Sequence, residues 1–380
     1  MFKAAIDFIK ESFPEKEWIP LHEPAFFGNE KAYVSDTIDS TFVSSVGEYV
    51  NRFEQLICEK TGAQYAVATV NGTSALHMAL MLAGVRPDDL VITQALTFIA
   101  TVNAIHYCGA EPLFLDVDRE TMGLSPDALA RFLDSRVQVK GGLSMDRKTG
   151  KPIRACVPMH TFGHPVKIDQ IRDICRQFHL VLVEDAAESL GSFYMGRHTG
   201  TFGTIGILSF NGNKIVTCGG GGMIITSDEA IGKRARHLTT TAKRPHPYRY
   251  EHDAIGYNYR LPNLNAALGC AQIEQLDYFI ENKRKLASSY QAFFQTMGIP
   301  FFSEPEHARS NYWLNAIILE DKNQRNRFLE ETHREGIMTR PLWDLINDSP
   351  MYAKCEKERL GNSRWFEERV VNLPSSVRRP

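Results

Sequence analysis

Apolar and polar positions along this chain follow two rhythms. From about residue 60 to 230, short continuous apolar runs alternate with stretches whose apolar residues recur every three or four positions. YAVATV (65–70) precedes NGTSALHMALMLAG, where Leu76, Ala79, Leu80 and Ala83 repeat at helical spacing. LVITQAL (90–96) leads into TFIATVNAIHYCG, PLFLDVD (112–118) into a polar helix near 125–135, and ACVPMH (155–160) into IDQIRDICRQFH. LVLVEDA (180–186), GILSF (206–210) and GGMIITSD (221–228) complete the set. Uninterrupted apolar strands separated by helices predict an α/β fold with a mostly parallel sheet, covered on both faces. Ligands of such sheets gather beyond the carboxyl ends of the strands, so strand-end residues are the ones to inspect.

After residue 250 the pattern changes. LPNLNAALGCAQIEQLDYFIENKRKLASSYQAFFQTMG predicts one long helix ending at Gly298, SNYWLNAIILE (310–320) a strand, and NQRNRFLEETHREG a helix. MFKAAIDFIKESF at the start reads as amphipathic. The expected division is an N-terminal arm or helix (1–21), a large domain (22–250) and a smaller α+β C-terminal domain (251–380).

Composition narrows the function classes. The chain is 43% hydrophobic and 23% charged with a net charge of −2, so no basic field invites nucleic acid or an anionic membrane. The 7 cysteines form no CxxC or CxxH pair, which signals no zinc site and suits a reducing compartment. Lys3, Asp7 and Lys10 interrupt any signal-peptide core, and no window approaches a membrane span of about 20 apolar residues. A soluble cytoplasmic protein without a metal is expected.

Three strand ends carry candidate chemistry. NGTSAL (71–76) puts Gly72, Thr73 and Ser74 at a helix start, where N–H groups and hydroxyls can hold an anion, or can simply cap the helix. It is not a Walker P-loop, because no lysine follows at the required place. Glu184 and Asp185 end a wholly apolar strand; each needs a cation or donor, or serves as an N-cap. His160 ends another strand, as a core histidine or a substrate contact, and Phe98 in TFIAT reads as core or as a stacking ring. Lys214 in SFNGNKIVTCGGGGM is a single amine before four glycines. An anion-binding helix start, a strand-end aspartate and a later lysine are together what pyridoxal 5′-phosphate requires. Its phosphate needs donors, its ring nitrogen a carboxylate, and its aldehyde an amine to condense with.

In NGTSALHMAL, ALTFIATVNAI, PLFLDVD, MHTFGHPVKID, VEDAAESLGS, GTFGTIGILSFNGNKIVTCGGGGM and GYNYRLPNLNAALG the chain resembles the DegT–StrS family of sugar-nucleotide aminotransferases. That resemblance spans roughly residues 20–275, and SNYWLNAI and VNLPSSV continue it. It implies the aspartate-aminotransferase-like fold type I of pyridoxal-phosphate enzymes. By it, Lys214 bonds the cofactor and is catalytic, and Ser209 joins Gly72, Thr73 and Ser74 around the phosphate. Asp185 meets the ring nitrogen, Phe98 stacks on the ring, and Glu188 stands near its 3-hydroxyl. Asn258 in GYNYR would reach the phosphate of a second subunit, which implies a homodimer with shared active sites. His160, Asn213, Tyr259 and Arg260 are substrate candidates. SFNGNKI, EDAAES and GGGG, with IPLHEPAFFGNEK and STFVSSVGEYV, point to the subgroup acting on UDP-linked 4-keto-6-deoxy amino sugars, with L-glutamate as amino donor and a GDP- or dTDP-linked keto sugar as the alternative substrate. Two positions depart from the pattern: Gly220 replaces a glutamate common in the family's GEGGM turn, and Asn347–Asp348 stand where a histidine is expected. Lys214 argues against the family's keto-sugar dehydratases, which carry histidine there. A catalytically silent cofactor-binding protein is the alternative from another class.

Overall fold

The structure, a computed structural model, describes residues 2–378. Seven strands make the continuous path of its main sheet: β1 (Tyr65–Thr69), β2 (Leu90–Gln94), β3 (Glu111–Leu115), β4 (Pro152–Val157), β5 (Val181–Asp185), β6 (Ile205–Ser209) and β7 (Gly222–Thr226). Their spatial order is β1-β7-β6-β5-β4-β2-β3, and a hairpin (Val137–Lys140, Leu143–Asp146) is added beside β4. Only β7 runs against the other six, so the sheet is mostly parallel, as expected, with a single reversed strand. The reason is local: β6 returns as its neighbour β7 through the loop that carries Lys214, with Ser209 opposite Gly222.

Side chains from both faces of the sheet are buried. Val67, Val91, Val157, Val183 and Ile224 pack against helix Gly72–Leu82 on one face. Ile92, Leu113, Cys156 and Leu182 pack against helices Pro126–Arg136 and Ile168–Gln177 on the other. The helix starts follow ordinary capping chemistry: Asn71, Ser125, Asp228 and Asp321 each accept a hydrogen bond from a backbone N–H in the first turn.

One expectation changes. The long helix after residue 260 is two helices, Asn263–Glu274 and Leu276–Thr296, turning at Gln275. The turn lets the first lie against Phe53 and Val50, while the second presents Leu286, Tyr290 and Phe294 to a three-stranded antiparallel sheet (Asn315–Ile318, Val370–Leu373, Arg340–Pro341). The packing that continues the large layer therefore runs past residue 250. The N-terminal stretch forms the helix expected there: Phe2, just before helix Lys3–Ser12, and Ile6 and Ile9 within it pack with Tyr290, Phe328 and Val371. Among the described residues no helix is long and apolar enough to cross a membrane.

Candidate active site

The carboxyl ends of β1, β5 and β6 bring three of the candidates together. After β1, Asn71 Oδ1 accepts from Ser74 N at 2.8 Å and starts helix Gly72–Leu82. Gly72 faces the end of β6 so closely that an added Cβ would lie 3.0 Å from Ser209 Cβ and 3.2 Å from its Oγ. Among the described residues the hydroxyls of Thr73, Ser74 and Ser209 are engaged in no hydrogen bond, and Ser209 lies against Gly72, where the helix begins. The result is an anion cradle built from two chain segments.

Asp185 ends β5, buried. Its Oδ2 accepts from Thr101 Oγ1 at 2.7 Å and its Oδ1 from Ala187 N at 3.2 Å. Burial raises its pKa above the ordinary aspartate value, against the lowering effects of these hydrogen bonds and of Lys214. No ion pair compensates it among the described residues. Because strand side chains alternate, Glu184 points to the opposite face, where Gly200 N, Gly203 N and His160 Nε2 surround it at 2.8, 2.5 and 3.0 Å. The two acidic residues therefore have separate tasks, and Asp185 alone faces the site.

Lys214 follows in the loop between β6 and β7. Its Nζ lies 3.2 Å from Glu188 Oε1 and 3.9 Å from the ring centroid of Trp313. Glu188 is buried, which raises its pKa, and its other oxygen accepts from Phe162 N at 2.9 Å. Phe162 holds a left-handed backbone (φ 57°), uncommon outside glycine, and this conformation accompanies its N–H bond to that carboxylate. Phe98, about half exposed, stands just before helix Ile99–Tyr107, whose first turn supplies Thr101 to Asp185. Its ring lies 6.2 Å from Trp343, centroid to centroid.

The four glycines have unequal reasons. Gly219 adopts φ 76°. A Cβ on Gly222 would fall 2.3 Å from Asn71 O and 2.7 Å from Thr69 Oγ1, so the cradle itself demands glycine there. At Gly220 the nearest atom to such a Cβ is Val70 O at 3.7 Å, and a side chain fits.

Several substrate candidates lie elsewhere. His160 is fully buried, with Nδ1 accepting from Val166 N at 3.2 Å and Nε2 bonded to Glu184, so both its ring nitrogens are engaged within the fold. Arg260 is committed to Glu54 Oε1 at 2.6 Å and to Ala68 O at 3.3 Å, and is not free for a substrate carboxylate. Tyr259 points at His77, its hydroxyl 3.2 Å from Nδ1. Asn213 is exposed; its carbonyl accepts from Trp313 Nε1 at 2.7 Å. Asn258 is exposed on the segment that pairs with Thr240.

Thr101, Trp313 and Asn311 escaped the motif reading. Thr101 was hidden in an apolar helix pattern, and Trp313 in a run that reads as a strand but becomes one only at Asn315. A groove of about 630 Å³ between residues 12–27 and 376–378 holds none of the candidate residues.

Known proteins match this chain in sequence and fold. The sequence pattern of the DegT/DnrJ/EryC1/StrS aminotransferase family matches residues 26–378. The chain belongs to this family. It is a pyridoxal-phosphate-dependent aminotransferase of fold type I. A GDP-perosamine synthase of Escherichia coli O157:H7 is 36% identical over 360 residues, covering 94% of this chain and 93% of that protein. A GDP-perosamine synthase of Vibrio cholerae is 35% identical over 367 residues, covering 94% of each. Among solved structures, the aminotransferase TlmJ from Streptoalloteichus hindustanus superposes with a TM-score of 0.85 at 25% identity, covering 94% of this chain and 93% of that one.

The residues fit the cofactor that the family uses. The cradle has donors and open hydroxyls for a phosphate dianion, and Asp185 is a buried carboxylate lacking the cation that a protonated ring nitrogen would provide. Lys214 provides an amine on the same side.

Proposed function

We propose that this enzyme moves an amino group from L-glutamate to the 4-keto carbon of a nucleotide-linked 4-keto-6-deoxyhexose, with GDP as the nucleotide. The GDP assignment rests on the GDP-perosamine synthases that match this chain nearly end to end. It replaces the UDP-linked sugar expected from the motifs as the leading substrate; the UDP-linked sugar stays the second reading because the SFNGNKI, EDAAES and IPLHEP stretches support it.

Bound pyridoxal phosphate supplies an aldehyde that captures amines and a ring that takes up the electrons of a cleaved C–H bond. The chain does the rest. Ser209 and the Gly72–Ser74 cradle would hold the phosphate, and Asp185, oriented by Thr101, would keep the ring nitrogen protonated. Lys214 would supply the amine that bonds the aldehyde, and its freed Nζ would take and return the donor's α-proton, with the reverse for the keto sugar. Glu188 keeps that amine within reach, at 3.2 Å. The observation that carries this reading is the buried, ion-pair-free Asp185 beside both the anion cradle and the lysine.

A second copy of this chain belongs to the proposal. Asn258 is exposed, and Tyr248, Tyr250 and Ile255 on the preceding segment are each at least 80% exposed, apolar surface that a partner would cover. The test is a panel of GDP-, UDP- and dTDP-linked 4-keto sugars with glutamate, products identified by mass and NMR. Amination of the GDP-linked sugar at the highest kcat/KM supports the reading; preference for the UDP-linked sugar returns the second one.

A further inference from the structure

Lys214 Nζ is held between two groups that come from distant parts of the chain. One is Glu188 Oε1 at 3.2 Å, the other the indole face of Trp313 at 3.9 Å. Trp313 is nearly fully buried, and its Nε1 donates to the carbonyl of Asn213, the residue just before the lysine, at 2.7 Å. One tryptophan thus touches both the tip of Lys214 and the backbone at its root.

The spacing between acid and ring is also set. Asn311 Oδ1 accepts from Trp313 N at 2.8 Å, while its Nδ2 donates to the carbonyls of Glu188 and Leu190, both at 2.9 Å. Asn311 is fully buried, and Gly163 leaves it room: a Cβ there would lie 1.9 Å from Asn311 Oδ1. A single amide therefore fixes the ring relative to the carboxylate on the other side of the amine.

We propose that Trp313 is a positioning residue for Lys214, its ring face forming the seat that the lysine amine occupies whenever it is not bonded to cofactor. The proposal rests on Lys214 being the cofactor-bonding amine. A seat is useful because that amine must be released and recaptured in each half-reaction, and a four-carbon side chain left free would lose its position each time. The ring attracts the charged amine through its quadrupole without consuming a hydrogen bond, so departure costs little. The other titratable groups facing Lys214 are Asp185, from the end of β5, and His22, whose ring lies 6.5 Å from Trp313 and whose pKa burial drives well below the ordinary value.

The test needs no substrate. Crystal structures of the cofactor-free full-length protein are compared for wild type, Trp313→Phe and Trp313→Leu. Lys214 Nζ is expected over the ring face in wild type and in Trp313→Phe, which keeps a ring face but loses the Asn213 bond, and is expected to leave that position in Trp313→Leu. Lys214 ordered at its wild-type position in Trp313→Leu overturns the proposal, as does its displacement in Trp313→Phe. Circular dichroism and melting temperature establish that both variants are folded. If the sugar panel fails while Lys214 leaves its seat in Trp313→Leu, the substrate reading falls and the seat stands.

Discussion

Lys283 offers a quantitative check on the packing that supports the site. It lies on helix Leu276–Thr296, completely buried, and its Nζ donates to the carbonyl of Ser375. No carboxylate pairs with it among the described residues. Burial lowers its pKa from 10.5 to about 7. Between those values the unfolded chain carries a proton that the folded chain has shed, so stability climbs as pH rises from about 7 toward 10.5. Below about 7 both states are protonated, the full burial cost is present, and this group adds no further slope. At about 1.4 kcal/mol per pH unit the whole interval amounts to ~5 kcal/mol, and the window from pH 7 to 9 to about 2–3 kcal/mol. Lys283→Met removes the titration. It also leaves Ser375 O unpaired, a cost of about 1–3 kcal/mol that does not change with pH. The stability difference between variant and wild type therefore moves against the variant by about 2–3 kcal/mol from pH 7 to pH 9. Equilibrium urea unfolding of both cofactor-free proteins, at equal protein concentration and several pH values, measures it. A difference that stays constant over the window would refute a buried, partner-poor lysine.

Other perturbations separate the parts of the site. Asp185→Asn removes one side of a buried charge pair with the ring nitrogen and should weaken cofactor binding by about 2–5 kcal/mol, read by absorbance titration; affinity within about threefold of wild type would contradict the role given to Asp185. Gly222→Ala forces a Cβ against Asn71 O and should cost about 1–3 kcal/mol of stability together with phosphate affinity, whereas Gly220→Ala should change the melting temperature by less than about 2 °C. Equal effects of the two alanines would show that the glycine run acts as a flexible unit. Glu54→Gln strands Arg260 without its carboxylate and should destabilise by about 3–5 kcal/mol in urea unfolding; a neutral result would mean that this buried pair is dispensable.

How far the sequence reached can be read from these residues. Strands and most helices were legible because each buries a full apolar run or one helical face, a pattern set by local geometry. The reversed direction of β7 was not, since strand direction depends on how a loop returns and carries no periodic signal. Lys214, Asp185 and the Gly72–Ser74 cradle stood out as chemistry-bearing groups at strand ends. Thr101, Asn311 and Trp313 did not, because their contribution is a contact between segments far apart in the chain: Trp313 meets Lys214 across about a hundred residues. His160 and Arg260 erred in the opposite sense. Polar residues beside a site motif looked available, and burial had already spent them on Glu184 and Glu54.

Every functional role assigned above depends on which amine meets the cofactor. Reducing the cofactor-loaded enzyme with sodium borohydride, digesting it and sequencing the labelled peptide by mass spectrometry identifies that amine directly. A phosphopyridoxyl group is expected on Lys214, within the peptide that contains SFNGNKI. Labelling of another lysine, or no label in protein that has bound the cofactor, would contradict it.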